Sequence, residues 1–235
     1  MGNMIDVFRQ EKKYGLSLIE ARKVSYRLGQ VLEKDIHGGN DGGYIVRSLY
    51  FDTLNDADYY DKVDGYDNRQ KLRLRSYGPD FNTARLELKE KMGNNQRKRG
   101  VLLDKEAAEK VINGEYDCLL HIDNPFAAKL YQLMCEKAYF PKCIVEYDRE
   151  AFIVPTNDIR ITLDSGIRAS EVNLNLFEPN LQLANVEDPN NVTLEIKYNH
   201  FLLSYVKDLL STHEYMQISA SKYCIARSLV LRGER

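Results

Sequence analysis

The chain has 235 residues, 43% of them hydrophobic and 29% charged, with 33 Lys and Arg against 35 Asp and Glu. That length supports a sizeable core, and a formal net charge of -2 excludes any protein-wide attraction to nucleic acid or anionic membrane, so a polyanion site has to arise from local clustering. Cys118, Cys135, Cys143 and Cys224 have neither CxxC spacing nor the density of a disulfide scaffold, which predicts reduced thiols in the core of a cytoplasmic protein.

At the N-terminus Arg9, Glu11, Lys12 and Lys13 come too early for the apolar core of a signal peptide, and no stretch of the sequence approaches the roughly 20 apolar residues of a membrane span. Asp6 stands where an acylation signal beginning at Met1-Gly2 would need Ser or Thr. Ser17 followed by Glu20 reads as a capping box that opens a helix to about Lys34. The Gly38 to Gly43 stretch lacks the Lys-Ser/Thr ending of a P-loop and leads into a strand, so it reads as a connector. Strands are predicted near 44–53, 69–78, 83–91 and 97–103, separated by turn clusters such as Gly78-Pro79-Asp80 and Gly93-Asn94-Asn95, and the short turns imply antiparallel neighbours. Asp104 caps a helix toward Asn113-Gly114, and Pro125 opens another to about Ala138. Strands return at 143–154, 158–165 and 192–198, and helices close the chain near 201–211 and 219–232. With 16 Tyr, 8 Phe and no Trp among many β-branched residues, the expectation is one sheet-rich α+β domain over residues 1–235.

Side chains two apart on a strand share a face. Lys71, Arg73 and Arg75 therefore oppose Leu72 and Leu74; Arg85, Glu87, Lys89 and Lys91 oppose Leu86 and Leu88; Glu195 and Lys197 oppose Leu194 and Ile196; Arg160, Thr162 and Asp164 oppose Ile159, Ile161 and Leu163. For any one strand the plain reading is a solvated face. Repetition favours a second reading, in which carboxylates precede lysines at Glu11-Lys12-Lys13, Glu87-Leu88-Lys89 and Glu195-Ile196-Lys197 on strands able to close into a barrel. Such a bore suits a phosphate chain, because Arg forks and Lys point charges bind phosphate oxygens while carboxylates hold a bridging Mg²⁺ or Mn²⁺.

RQEKKY at 9–14, SLYFDT at 48–53, KLRLRSYG at 71–78, LELKEK at 86–91, VEYDREAF at 145–152, IRITLD at 159–164, LEIKYN at 194–199 and SKY at 221–223 form an ordered set over nearly the whole chain. The set resembles the polyphosphate polymerase domain of the vacuolar transporter chaperone (VTC) complex, within the triphosphate tunnel metalloenzymes that include the CYTH proteins. The resemblance implies a closed antiparallel β-barrel flanked by helices, forming a triphosphate tunnel. It implies phosphate contacts from Lys13, Arg73, Arg75, Lys89, Arg149, Arg160 and Lys222, hydrogen bonds from Tyr147 and Ser221, and metal on Glu195. Lys98 joins them if its strand register turns it inward in place of Arg97 and Arg99. The alternating faces add Lys71 and Lys197 as phosphate-binding candidates and Glu87 and Glu11 as metal candidates.

Arg9 stands where many tunnel triphosphatases carry their first carboxylate, which tilts the resemblance toward the polymerase branch. The eukaryotic polymerase lies in a larger protein with a phosphate-sensing domain and a membrane segment, and this sequence is expected to be a free-standing version. The activity implied is transfer of the γ-phosphate of ATP to polyphosphate with Mn²⁺ or Mg²⁺. A triphosphatase of the same fold and a non-catalytic polyphosphate-binding module remain open. Expected partners are ATP or another triphosphate and polyphosphate or pyrophosphate. Sequence-specific nucleic acid is not expected, because KLRLRSYG carries no RNA-recognition signature. His37, His121, His200 and His213 have no metal-ligand spacing, and Ser48 and Ser221 lack the context of a serine nucleophile.

Overall fold

The computed structural model describes residues 9–35, 43–78, 81–93 and 95–233. The Met1-Gly2 start, Asp6, His37, residues 38–42 of the glycine-rich connector, Pro79-Asp80 and Asn94 lie outside the described residues. In chain order the elements are β1 (Arg9–Ser17), α1 (Leu18–Gly29), β2 (Glu33–Lys34), β3 (Gly43–Asp52), α2 (Ala57–Val63), β4 (Arg69–Tyr77), β5 (Thr83–Met92), β6 (Asn95–Asp104), α3 (Lys105–Ile112), α4 (Pro125–Glu136), β7 (Phe140–Val154), β8 (Ile159–Ser170), β9 (Ala184–Asn185), β10 (Asn191–Asn199), α5 (Ser204–Leu210), β11 (Met216–Gln217) and α6 (Lys222–Gly233). The protein is α+β, with a large antiparallel sheet and helices.

The capping box forms as read: the Ser17 hydroxyl accepts from the Glu20 amide at 3.3 Å, and the Glu20 carboxylate accepts from the Ser17 amide at 2.7 Å. Helix α1 buries Ala21, Val24 and Leu28 but stops at Gly29, short of Lys34, because Lys34 pairs with Phe152 as strand β2. Several elements escaped the sequence reading, among them β1, α2 and the two-residue strands β2, β9 and β11. Strand β1 carries a buried Tyr14 and Leu16 opposite Glu11 and Lys13, with too few β-branched residues to announce itself. Helix α2 is only seven residues long, and Asp52, at the end of β3, supplies its cap from a distance by accepting the Asp58 and Tyr59 amides, each at 3.0 Å. Of the cysteines only Cys143 is fully buried. Cys135 is exposed on α4, a correction to the expectation of core residues, and all four thiols are free.

Backbone contacts divide the chain into two compact units. The first takes the described parts of residues 1–44, 147–167 and 187–220, and its core gathers Tyr14, Val24, Leu28, Phe152, Ile161, Leu194 and Val206. Within it β1 runs antiparallel to β10, β10 to β8, and β11 adds to β1 at Tyr14 and Gly15. The second takes the described parts of 45–146, 168–186 and 221–235, with a core of Leu49, Phe51, Leu72, Leu74, Leu86, Leu88, Ala108 and Leu130. Within it β3, β4, β5 and β6 form a meander.

The hydrogen-bonded strand order is β11-β1-β10-β8-β7-β3-β4-β5-β6, with β2 on β7 and β9 on β8. Among the described residues no hydrogen-bonded pair joins β6 to β11, so the expected barrel is not closed by backbone hydrogen bonds. The two ends of that order differ: β11 is two residues long, and β6 is ten residues long with exposed Arg97 and Lys98. No helix among the described residues is long and apolar enough to cross a membrane.

Candidate functional site

Directly paired residues on antiparallel strands project to the same face, so register converts the alternation of single strands into rows. In the second unit one row is Ser48, Arg75 and Arg85, the next Tyr50, Arg73, Glu87 and Gly100, and the third Lys71, Lys89 and Lys98. The opposite face reads Leu49, Leu74, Leu86 and Val101, which are core. Lys98 pairs with Lys89 without a bulge and so joins the cationic face. Arg97 and Arg99 point the other way, where Arg99 binds Glu90 at 3.1 Å and lies 4.2 Å from the Phe126 ring centroid.

Glu87 is the single carboxylate in those three rows, and it is 3% exposed. Arg73 reaches it at 2.8 Å, Lys98 at 2.6 Å and Arg75 at 3.9 Å. Burial would raise the Glu87 pKa, but Arg73, Arg75 and Lys98 outweigh it and pull it to about 2. Gly100 sits opposite, and a Cβ there would meet the Leu86 carbonyl at 2.9 Å and Glu87 Cγ at 3.2 Å, so glycine is what leaves room for this knot. Glu87 thus ties Arg73, Arg75 and Lys98 into one group.

The SKY segment opens α6 where the sequence placed a helix start. The Ser221 hydroxyl accepts from the Cys224 amide at 3.4 Å and also takes a close hydrogen bond from Lys71 Nζ. Lys222, half-buried, is the first residue of the helix. The second unit therefore brings together Lys71, Arg73, Arg75, Lys98 and Ser221, with Lys89 in the same row as Lys71.

In the first unit the rows are Lys13, Glu195 and Thr162, and Glu11, Lys197 and Arg160. Lys13 Nζ lies 3.5 Å from Glu11 and 3.6 Å from Glu195, while Lys197 reaches Glu195 at 3.1 Å. Burial lowers the Lys197 pKa to about 8, against the opposing pull of Glu195 and Glu11. Arg149, 4% exposed, makes a two-pronged pair with Asp164 at 2.7 Å per contact, comes within 3.9 Å of Glu195, and has its guanidinium 5.2 Å from the Tyr147 ring centroid. Arg160 is turned to Asp35 at 2.6 Å and to the Tyr44 hydroxyl at 2.8 Å. Here Lys13, Lys197, Arg149, Glu11 and Glu195 converge, and Arg160 sits in the same row with its own acidic partner.

No group of three or more His, Cys, Asp or Glu side chains able to cage a metal occurs among the described residues. A Mg²⁺-like ion does not need one, since it keeps several waters and binds through one or two carboxylates plus substrate phosphates. Glu11 and Glu195 meet that requirement: both reach for the Lys13 ammonium, and both offer hard oxygens. Glu195 with Glu11, and Glu87 in the second unit, each offer carboxylate oxygens of the kind a hydrated divalent cation takes.

The site residue that sequence reasoning passed over is Asp52, with Tyr50 and Tyr223. All three stood inside quoted motifs, yet nothing in their spacing showed that they meet: Tyr223 donates to Asp52 at 2.6 Å and stacks on Tyr50 with ring centroids 5.0 Å apart.

In both units antiparallel strands carry rows of Lys and Arg with carboxylates among them. The chain belongs to the VTC domain family, which matches residues 8–231. No curated protein matches it. Among solved structures it is similar to a protein from Bacillus halodurans named as a candidate adenylate cyclase, at 13% identity and TM-score 0.50 over 91% of this chain and 95% of the other. A protein from Pyrococcus horikoshii OT3 gives 14% identity and TM-score 0.46 over 97% and 100% of the two chains.

Proposed function

We propose that this chain is a metal-dependent polyphosphate polymerase of the triphosphate-tunnel kind, transferring the γ-phosphate of ATP to a growing phosphate chain. The observation that carries the reading is the row structure of the second unit, which places Arg73, Arg75, Lys71, Lys89 and Lys98 on one face against a single carboxylate. Membership of the VTC domain family supports it. So does the near-neutral total charge, because a chain with no general affinity for anions has concentrated its cations where one is to be held.

Phosphoryl transfer asks mainly for positioning and charge stabilisation. A terminal phosphate oxygen of the acceptor chain attacks the γ-phosphorus, the bond to the β,γ-bridging oxygen breaks, and ADP leaves. Arg73 and Arg75, spaced by Glu87, present guanidinium forks to the phosphoryl oxygens, and Lys89, Lys98 and Lys222 supply point charge. Lys13, Lys197 and Arg149 neutralise chain phosphates. Glu195, with Glu11, would hold Mn²⁺ or Mg²⁺, which when bound withdraws charge from bridging phosphate oxygens. The reaction and its substrates suit a cytoplasmic protein.

The test is incubation of the protein with ATP, Mn²⁺ or Mg²⁺ and a pyrophosphate or short polyphosphate primer, with products resolved on a polyphosphate-stained gel. A lengthening ladder with stoichiometric ADP is expected. Free phosphate without a ladder would assign the chain to the triphosphatases, and binding without turnover would leave a polyphosphate-binding module.

A further inference from the structure

Beneath the cations of the second unit lies an aromatic pair with a buried anchor. Tyr223, 1% exposed, stacks on Tyr50 with an interplanar angle of 23°, and Tyr59 meets it edge-on at 6.4 Å. Lys71 Nζ is 5.8 Å from the Tyr223 ring centroid, and the Arg73 guanidinium is 5.9 Å from that of Tyr50. Arg73 also donates to the Tyr50 hydroxyl at 3.1 Å. The far end of the stack is tied to Asp52, which is 0% exposed and accepts the Tyr223 hydroxyl at 2.6 Å. Asp52 itself cannot swing, because its carboxylate also takes the amides of Thr53, Asp58 and Tyr59.

We propose that Asp52, Tyr223 and Tyr50 form a positioning platform that fixes Lys71 and Arg73 and the Ser221-Lys222 turn for the phosphate chain. The inference rests on the phosphate-handling reading above and adds residues that act through others. Two flexible cations would otherwise pay rotamer entropy each time a phosphate is bound, and an ordered ring beneath each removes part of that cost. The Tyr223 phenol is raised far above its usual pKa, chiefly by burial and by Asp52, so it stays a donor at any working pH. Tyr50 shows the opposite: burial would raise its phenol, but Arg73, Arg75 and Lys71 together hold it below the ordinary value, which marks how closely those cations are packed over it. Tyr223 also connects by one peptide unit to Lys222, so the bond to Asp52 sets the direction in which α6 begins.

Tyr223→Phe keeps the ring and both cation contacts and deletes only the hydroxyl. Tyr116→Phe is the control, because it removes a phenol hydrogen bond of equal length, 2.6 Å to the Tyr139 carbonyl, in the same unit. Both variants are expected to melt within about 2–4 °C of the parent. Tyr223→Phe is expected to bind inorganic tripolyphosphate roughly tenfold more weakly and to turn ATP over roughly 10- to 100-fold more slowly, with Tyr116→Phe at parental values for both. Tyr50→Phe combined with Tyr223→Phe should cost less than the product of the single effects, as befits one unit. Equal binding and turnover in Tyr223→Phe and Tyr116→Phe would overturn the platform. If the parent shows no turnover but tripolyphosphate binding follows the expected pattern, the chemistry fails and the platform stands.

Discussion

The two units carry similar rows of cations, and each holds a nearly buried glutamate, Glu87 in one and Glu195 in the other, among three of them. In the second, Glu87 is enclosed by Arg73, Arg75 and Lys98 and held at a pKa of about 2. In the first, Glu195 is met by Lys197, Lys13 and Arg149, Glu11 also meets Lys13, and Asp164 and Asp35 engage Arg149 and Arg160. One carboxylate among several cations spaces those cations and keeps them charged. The first unit sets more carboxylates among its cations than the rows of the second do. Strand patterning alone makes Glu-x-Lys look the same in both places; register shows which cations each glutamate meets.

The contrast can be broken most decisively at Arg73. Arg73→Ala should lower turnover more than about 100-fold with the fold intact, as judged by steady-state kinetics beside circular dichroism, and Lys222→Ala should do the same. Glu195→Gln should come next, raising the Mn²⁺ concentration needed for half-maximal rate by roughly 10- to 100-fold, whereas Glu87→Gln should leave that concentration unchanged.

Acid sensitivity sharpens the role of Glu87. Its folded pKa is depressed from 4.5 to about 2, so the stability it contributes is complete above pH 4.5 and is lost as pH falls through about 2. Acid unfolding of Glu87→Gln should therefore lose part of its steepness over that window. On the first unit, tripolyphosphate affinity should fall as pH rises through about 8, where Lys197 loses its proton, and Lys197→Arg should abolish that limb. The smallest effect is expected at Asp58, whose carboxyl is raised to about 7, chiefly by burial. A carboxyl raised from 3.8 to about 7 costs stability increasingly as pH rises between those values and fully above them, so Asp58→Asn should raise the melting temperature more at pH 8 than at pH 5.

Much of this was legible in the sequence because alternation is a local property. The leucine and cation faces of β4 and β5, the capping box at Ser17 and the helix start at Lys222 needed no partner to be read. What needed a partner was harder to see. The inward turn of Lys98 depends on pairing with Lys89, and the capture of Glu87 depends on Arg73 and Lys98 from flanking strands. Helix α2 is nucleated by Asp52 from outside the helix, a signal no local propensity contains. Asp52 and Tyr223 are 171 residues apart, so their meeting is a product of topology alone.

The central proposal is that the Glu195 cluster holds the metal and the Glu87 cluster orders the phosphates. The direct measurement is Mn²⁺ binding, by electron paramagnetic resonance in the presence of tripolyphosphate, to the parent, Glu195→Gln and Glu87→Gln proteins. The account predicts bound Mn²⁺ in the parent and in Glu87→Gln, with most of the signal from bound metal lost in Glu195→Gln. Loss in Glu87→Gln with retention in Glu195→Gln would contradict it.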